Sequence, residues 1–266
     1  MYAKPRSIQE VAQFLKKNWR TADRYITQIE KEFGTLATRT FRGGTRGSLK
    51  VVYWASIEKI SKTIFQQQLE HDIFLAKRKE DFSAFDMYQH VPDKDKQVSI
   101  ETAKNEEATN LKEFTDMLSE AKQQILMFSG NLSFTNLKNE KSIVFDTLDK
   151  LVKKGVIIKV LSRVDIAGKQ NTANFLSLNF KHAKERIEVR HREQPLRAVI
   201  IDNKICRIKE IKEPTGKINE LNTRVFMYYT IKNKEWVEWL SHVFWKMFNN
   251  SIDAQKRLEE LNKLKE

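Results

Sequence analysis

From Leu111 to Asn250 the chain alternates short apolar runs with amphipathic stretches, and this alternation restricts the fold more than any other feature of the sequence. KEFTDMLSEAKQQ reads as a helix, ILMFSG as a buried strand, KSIVFDTLDKLVKKG as a helix closed by Gly155, and VIIKVLSRVD as the next strand. NTANFLSLNFKHAK then reads as a helix and ERIEVRHR as a short strand. LRAVIIDNKICRIKEI reads as a hairpin turning at Asp202-Asn203, followed by the strand TRVFMYYTI and the helix KEWVEWLSHVFWKMFNNSI. Strands separated by helices pair through crossovers, so the expected class is α/β, with a largely parallel or mixed sheet covered by helices. In the aromatic helix, Trp236, Trp239, Leu240, Val243, Phe244 and Met247 fall on one continuous face, which favours core packing over base stacking. Cys206 sits in an apolar-alternating strand and reads as a buried structural thiol; a single cysteine excludes an intrachain disulfide and a cysteine-cluster zinc site.

The N-terminal part follows a different pattern. Ser7 and Glu10 are spaced as a capping box that opens the helix IQEVAQFLKK, whose apolar face is Ile8, Val11, Ala12 and Leu15. After a tight turn at Lys17-Asn18, Asn18 caps a second helix, RTADRYITQIEKEF, ended by Gly34. Ala22, Ile26, Ile29 and Phe33 share one face of it, which leaves Arg20, Thr21, Arg24, Thr27, Gln28 and Lys31 on the other side or end. TRTFRGGTRGSLKVVYW follows as two strand-like runs around a Gly-rich tip, with Arg39, Arg42, Thr45, Arg46 and Lys50 as its polar, mostly cationic residues.

Charge separates this segment from the rest. The chain carries a net +13; residues 1–62 hold 13 Lys or Arg against five Asp or Glu, which is +8 of that excess. A localised basic face implies a polyanionic partner, because clustered cations gain affinity for phosphates by releasing condensed counterions. With 40% hydrophobic residues the chain has the material to fold, and its length of 266 residues suggests two domains. No apolar run reaches the length that crosses a bilayer, so an intracellular, cytoplasmic protein without membrane contact is expected. Residues 57–90 read as a long amphipathic helix or a pair of helices with Ile57, Ile60, Ile64, Leu69, Ile73 and Phe74 as its stripe, and the polar stretch 91–110 reads as a linker or surface loop. The expected division is therefore 1–56, 57–110 (helical linker and candidate dimer surface), 111–250, and a C-terminal helix 251–266.

On SIQEVAQFLKKNWRTADRYITQIEKEFG and the hairpin after it, residues 7–54 resemble the winged helix-turn-helix domains of prokaryotic transcription regulators. The resemblance implies that the second helix enters the major groove of double-stranded DNA and that the hairpin tip touches the backbone or minor groove. Such domains carry a helix ahead of the capping box; here either Ile57–Leu69 completes the three-helix core or the true start lies further upstream.

The segment HREQPLRAVIID resembles the phospholipase D superfamily, whose signature is His-x-Lys-x4-Asp. Counted back from Asp202, Arg197 stands at the lysine position and Pro195 at the histidine position, with His191 four residues too early. Family chemistry uses that histidine as a nucleophile, a role proline cannot take, so the expectation is that the chain is not an enzyme and needs no cofactor or metal. His191 reads first as an ordinary strand-edge histidine. His191, Arg197 and Asp202 remain candidates for a relic ligand site, and Arg190, Arg192, Lys209 and Glu210 either join it to hold an anion or form a surface ion-pair network. Archaeal sugar-sensing regulators of the TrmB type join a winged helix to a similar degenerate domain. That resemblance implies a homodimeric transcriptional regulator with a small anionic or sugar effector. The alternatives are a phospholipase D-type nuclease or phosphodiesterase, or a DNA-binding defence or architectural protein.

Overall fold

A computed structural model describes residues 5–33, 36–42, 48–54, 62–103, 111–138, 143–214 and 223–263. Among them two sheets form. The first holds three antiparallel strands in the order β1 (Arg6–Ser7), β3 (Ser48–Trp54), β2 (Leu36–Arg42), with helices α1 (Ile8–Phe14) and α2 (Trp19–Phe33) against it. The second is a mixed sheet of eight strands in the order β11-β7-β6-β5-β8-β9-β10-β4, of which β5 (Gln124–Phe128), β6 (Ile157–Ser162) and β7 (Ile187–His191) run parallel. β8 (Ala198–Ile201), β9 (Ile205–Lys212), β10 (Arg224–Ile231) and β4 (Lys96–Ala103) extend it by antiparallel pairing, and β11 (Ile252–Asp253) closes the other edge.

β5 explains why both faces are covered. Its side chains alternate: Ile125 and Met127 join a core with α5 (Leu111–Ser119), α6 (Val144–Lys154), α7 (Lys169–His182) and α9 (Ala254–Lys263), whereas Leu126 and Phe128 join the core under α8 (Lys234–Asn249). The aromatic face of α8 packs as its spacing predicts, with Trp236, Leu240, Phe244 and Met247 fully buried. Cys206 lies in the same core, and burial pushes its thiol well above the ordinary range. Gly155 ends α6 at φ 93°, and Asp202 and Asn203 turn the β8–β9 hairpin at φ 50° and 54°, each where the sequence places it.

One element differs from the sequence reading. Residues 96–103, expected within a linker, form edge strand β4, which pairs with β10 from Lys96↔Ile231 to Ala103↔Arg224. Val98 and Ile100 pack against the core from one side of β4, while Gln97, Ser99 and Glu101 occupy the intervening positions, so the apolar signal is half-strength, as is usual for a protected edge. The N-terminal sheet contributes side chains to two cores. Phe41, Leu49 and Val51 enter the large core beside α4 (Ala84–Tyr88), where Phe41 meets Phe85 edge-on at 5.8 Å and Tyr88 at 6.4 Å. Val52, one residue along, faces the opposite way into a small core of Ile8, Val11, Ala12, Ala22, Ile26 and Leu36. The stripe at 57–74 resolves into α3 (Lys62–Leu75), which buries Leu69 and Ile73 and leaves Ile64 59% exposed; Ile57 and Ile60 lie outside the described residues.

Candidate nucleic-acid interface and cationic cavity

The cap geometry sets α2. Ser7 and Glu10 form the reciprocal capping box of α1, with Ser7 N–H donating to Glu10 Oε2 (2.6 Å) and Glu10 N–H to Ser7 Oγ (3.2 Å). The chain then turns through Lys16 at φ 53°, a left-handed conformation that suits glycine, and Asn18 Oδ1 accepts the Thr21 N–H at 2.8 Å to start the second helix. Arg20, Arg24, Thr27, Gln28 and Lys31 are exposed at offsets of 0, 4, 7, 8 and 11 residues, a single helical face, while Ala22 and Ile26 are buried behind it. Thr21 is half-buried at the helix start. Arg20 lies over the Trp19 ring at 5.6 Å and Arg24 over the Tyr25 ring at 5.6 Å.

The hairpin residues divide. Lys50 pairs with Asp23 of α2 at 2.6 Å and so ties the hairpin to the helix. Arg39 turns away from the α2 face toward the second sheet, over the Tyr88 ring at 5.8 Å and 3.5 Å from Asp93. The Arg42 side chain, Thr45, Arg46 and the helix stop at Gly34 fall outside the described residues.

His191, Arg197 and Asp202 are not brought together. His191 ends β7 and its Nδ1 accepts the Val164 N–H at 2.9 Å, which fixes the loop after β6. Burial, helped by Arg257, lowers the affinity of its imidazole for a proton against Glu193, Asp165 and Glu260, matching the acceptor role. Asp202 sits at the far end of β8 from Arg197 and accepts the N–H groups of Lys122 (2.8 Å), Gln123 (2.9 Å) and Gln124 (2.9 Å). Burial raises its carboxyl, but these three amides and Lys204 outweigh that, and the net shift is downward. Its role is to clamp the start of β5.

Arg197 opens into a different site. A cavity of about 570 Å³ lies at the C-terminal ends of β5 and β6, lined by Lys77, Arg78, Lys79, Arg163, Arg197, Arg207 and Lys209 against one acid, Glu80. Its floor is apolar: Phe114, Met127, Phe134, Leu137, Val199 and Ile211. The loop 129–133 that follows β5 is strained, with Leu132 fully buried at φ 61°, a conformation costing on the order of 1–3 kcal/mol for a non-glycine residue. Ser129 Oγ accepts the Leu132 N–H and Thr135 Oγ1 donates to the Leu132 carbonyl, which holds the strain in place. The Arg197 guanidinium lies against Gly130, where an added Cβ would stand 2.9 Å from Nη2. It donates from Nη1 to the Leu196 carbonyl (2.7 Å), and no carboxylate among the described residues forms an ion pair with it. Burial lowers its proton affinity, as does Arg163, while Glu80 opposes them. Of the residues grouped with it in the sequence, Lys209 reaches the cavity. Arg190 instead stacks on Phe248 (4.6 Å) and pairs with Glu188, Arg192 lies over Phe74 (5.3 Å), and Glu210 pairs with Lys212 (2.9 Å). Arg78, Arg163 and Arg207 were not singled out in the sequence; the period-two run Arg207-Lys209-Ile211 on one face of β9 was the readable signal.

No known protein family profile and no curated protein matches the chain. Solved structures do. Nuc, a phospholipase D family member from Salmonella typhimurium, is similar at 18% identity and a TM-score of 0.40, over 59% of this chain and 98% of that one. TrmBL2, an archaeal chromatin protein described as showing a novel mode of DNA binding, is similar at 16% identity and a TM-score of 0.39, over 94% of this chain and 88% of its own. A phosphatidylserine synthase from Haemophilus influenzae Rd KW20 is similar at 10% identity and a TM-score of 0.40, over 64% of this chain and 46% of that one. Similarity at this level concerns fold and transfers no residue role. It does correct one expectation. The expectation that the chain is not an enzyme is withdrawn, because structures similar to it include a phospholipase D family member and a named synthase. No helix among the described residues is long and apolar enough to cross a membrane.

Proposed function

We propose that this chain is a DNA-binding transcriptional regulator in which residues 7–54 act as a winged helix-turn-helix. The observation that carries the reading is the α2 face: Arg20, Arg24, Thr27, Gln28 and Lys31 are exposed together on a helix whose opposite side is buried. Arginine can make paired bonds to guanine and glutamine to adenine in the major groove, and lysine meets phosphate as a point charge. The proposed protein acts in the cytoplasm as a homodimer, so that two α2 helices meet successive major grooves of a pseudo-palindromic site. The test is binding-site selection from random duplex DNA, followed by fluorescence anisotropy of the selected duplex. Arg20→Ala relaxing the preference at one base position supports the assignment, whereas equal loss on every sequence overturns base reading by that residue.

The cavity supports a ligand-binding role for the second sheet. Seven cationic side chains against one acid favour an anionic ligand over a neutral sugar. The same cavity favours a second reading, cleavage of a phosphodiester, because a half-buried guanidinium beside a strained loop is suited to a phosphoryl oxygen. Incubation of the purified chain with plasmid and with a chromogenic phosphodiester, with and without EDTA, tests it: turnover that Arg197→Gln removes supports cleavage.

A further inference from the structure

We propose that the cavity takes a small ligand that combines a terminal phosphate with a flat apolar body, a nucleoside monophosphate by class, with the phosphate seated on Arg197 and the body on Phe114 and Phe134. This rests on reading the cavity as a ligand site and goes further by naming what fills each half of it.

The polar half sets seven cations against one lining carboxylate, Glu80. Arg197 is half-buried against Gly130, and among the described residues its guanidinium donates to carbonyl groups of its own loop. Arg207 is 6% exposed; its Nη1 pairs with Glu113 at 3.0 Å, but its Nε is buried without a hydrogen-bond partner. Guanidinium groups partly withdrawn from water, with donors left over, gain from an anion that supplies further acceptors. A terminal phosphate brings a charge near −2 and three acceptor oxygens, which suits two guanidinium groups better than the single charge of a diester. The apolar half constrains the rest of the ligand. Phe114 and Phe134 meet edge-on at 6.3 Å and form a floor that an inorganic phosphate would leave wet and a hydrophilic sugar would not match. The volume of about 570 Å³ accommodates a ligand of mononucleotide size. Lys77–Glu80, between α3 and α4, forms one wall, so the site draws on the segment that joins the two sheets.

Calorimetric titration of the full chain with AMP, adenosine, inorganic phosphate and glucose tests the inference. AMP binding at least about tenfold tighter than either adenosine or phosphate is the expected result. Arg197→Gln is expected to remove the advantage of AMP over adenosine, and Phe134→Ala the advantage over phosphate. If Arg197→Gln does not fold, Gly130→Ala serves instead, since its Cβ displaces the guanidinium and should weaken AMP while sparing adenosine. Equal affinity for AMP and phosphate, preference for glucose, or no AMP binding up to about 10 mM overturns the inference. DNA binding measured on the same preparations separates the two readings: failure of AMP with DNA affinity intact overturns the ligand class alone, and loss of DNA reading with AMP binding intact overturns the regulator alone.

Discussion

Lys212 of β9 reaches Glu10 of the α1 capping box at 3.7 Å, and so a buried ammonium of the large sheet meets the carboxylate that starts the N-terminal helix. The same Lys212 pairs with Glu210 at 2.9 Å, and Glu210 accepts from Ser83 at 3.0 Å, which joins β9, α1 and the segment before α4 in one polar cluster. Burial disfavours the Lys212 charge, but Glu210 and Glu10 outweigh it, and its proton affinity is raised overall. Replacing Lys212 with Met leaves Glu210 buried without its partner and should cost about 3 kcal/mol in urea denaturation. A loss under about 0.5 kcal/mol would show that the cluster is not stabilising. Because the folded proton affinity of Lys212 is raised, its contribution is present below about pH 10.5 and is lost as pH rises further, so the alkaline limb of stability should flatten in the variant.

The acid limb has a different origin. Burial raises the Asp202 carboxyl, yet the three amides it accepts from bring it below its ordinary value of 3.8, and its contribution is therefore present above that pH and lost as pH falls through the folded value. Asp202→Asn keeps a residue that tolerates φ 50° but removes the charge. The expected result is about 1 kcal/mol lower stability at pH 7 with a shallower decline from pH 5 to pH 3, read by thermal melts across that range.

At Lys16 the backbone, not the side chain, is the cost. The residue stands at φ 53° and is exposed, so a glycine there removes the left-handed penalty. Lys16→Gly should stabilise the chain by about 1 kcal/mol, a rise of about 3 °C in Tm. An unchanged or lower Tm would mean that the turn is held by contacts of the lysine itself.

Arg24 and Lys50 are both cations of the N-terminal segment, but only Arg24 lies on the α2 face; Lys50 is committed to Asp23. If α2 meets phosphate and base edges, Arg24→Ala should weaken DNA binding and lower the slope of log affinity against log salt by about one unit per lost phosphate contact. Lys50→Ala should lower stability by less than about 1 kcal/mol and leave the salt slope unchanged. The reverse pattern would reassign the interface to the hairpin.

Legibility followed the range of the determining contacts. The capping box, Asn18, Gly155 and the Asp202-Asn203 turn are set within four residues of themselves, and the structure places each as the sequence implies. β4 was hidden because Lys96, Gln97 and Glu101 dilute an edge strand whose only strong partner, β10, lies more than a hundred residues on. Arg39 could not be placed because its direction depends on Asp93, 54 residues away. The cavity is the extreme case: its cations come from the segment before α4, from the loop after β6, from the residue that precedes β8 and from β9, and no local spacing brings them together.

The shared core makes a last prediction about cooperativity. A winged helix that folded alone would keep its own apolar sheet face covered, but here Phe41, Leu49 and Val51 are buried only by joining Phe85, Tyr88 and the α8 core. Taken alone, the N-terminal sheet retains the small cluster of Ile8, Val11, Ala12, Ala22, Ile26, Leu36 and Val52, too little apolar area to offset the chain entropy of some fifty residues. A fragment of residues 1–56 should therefore be largely unfolded by circular dichroism, and the full chain should melt in one transition. Phe41→Ala should shift that whole transition down by about 3–4 kcal/mol, because it opens a cavity between the two sheets. Two resolved transitions, with only the first moved by Phe41→Ala, would mean that the N-terminal unit folds independently and that its docking onto α4 adds little to stability.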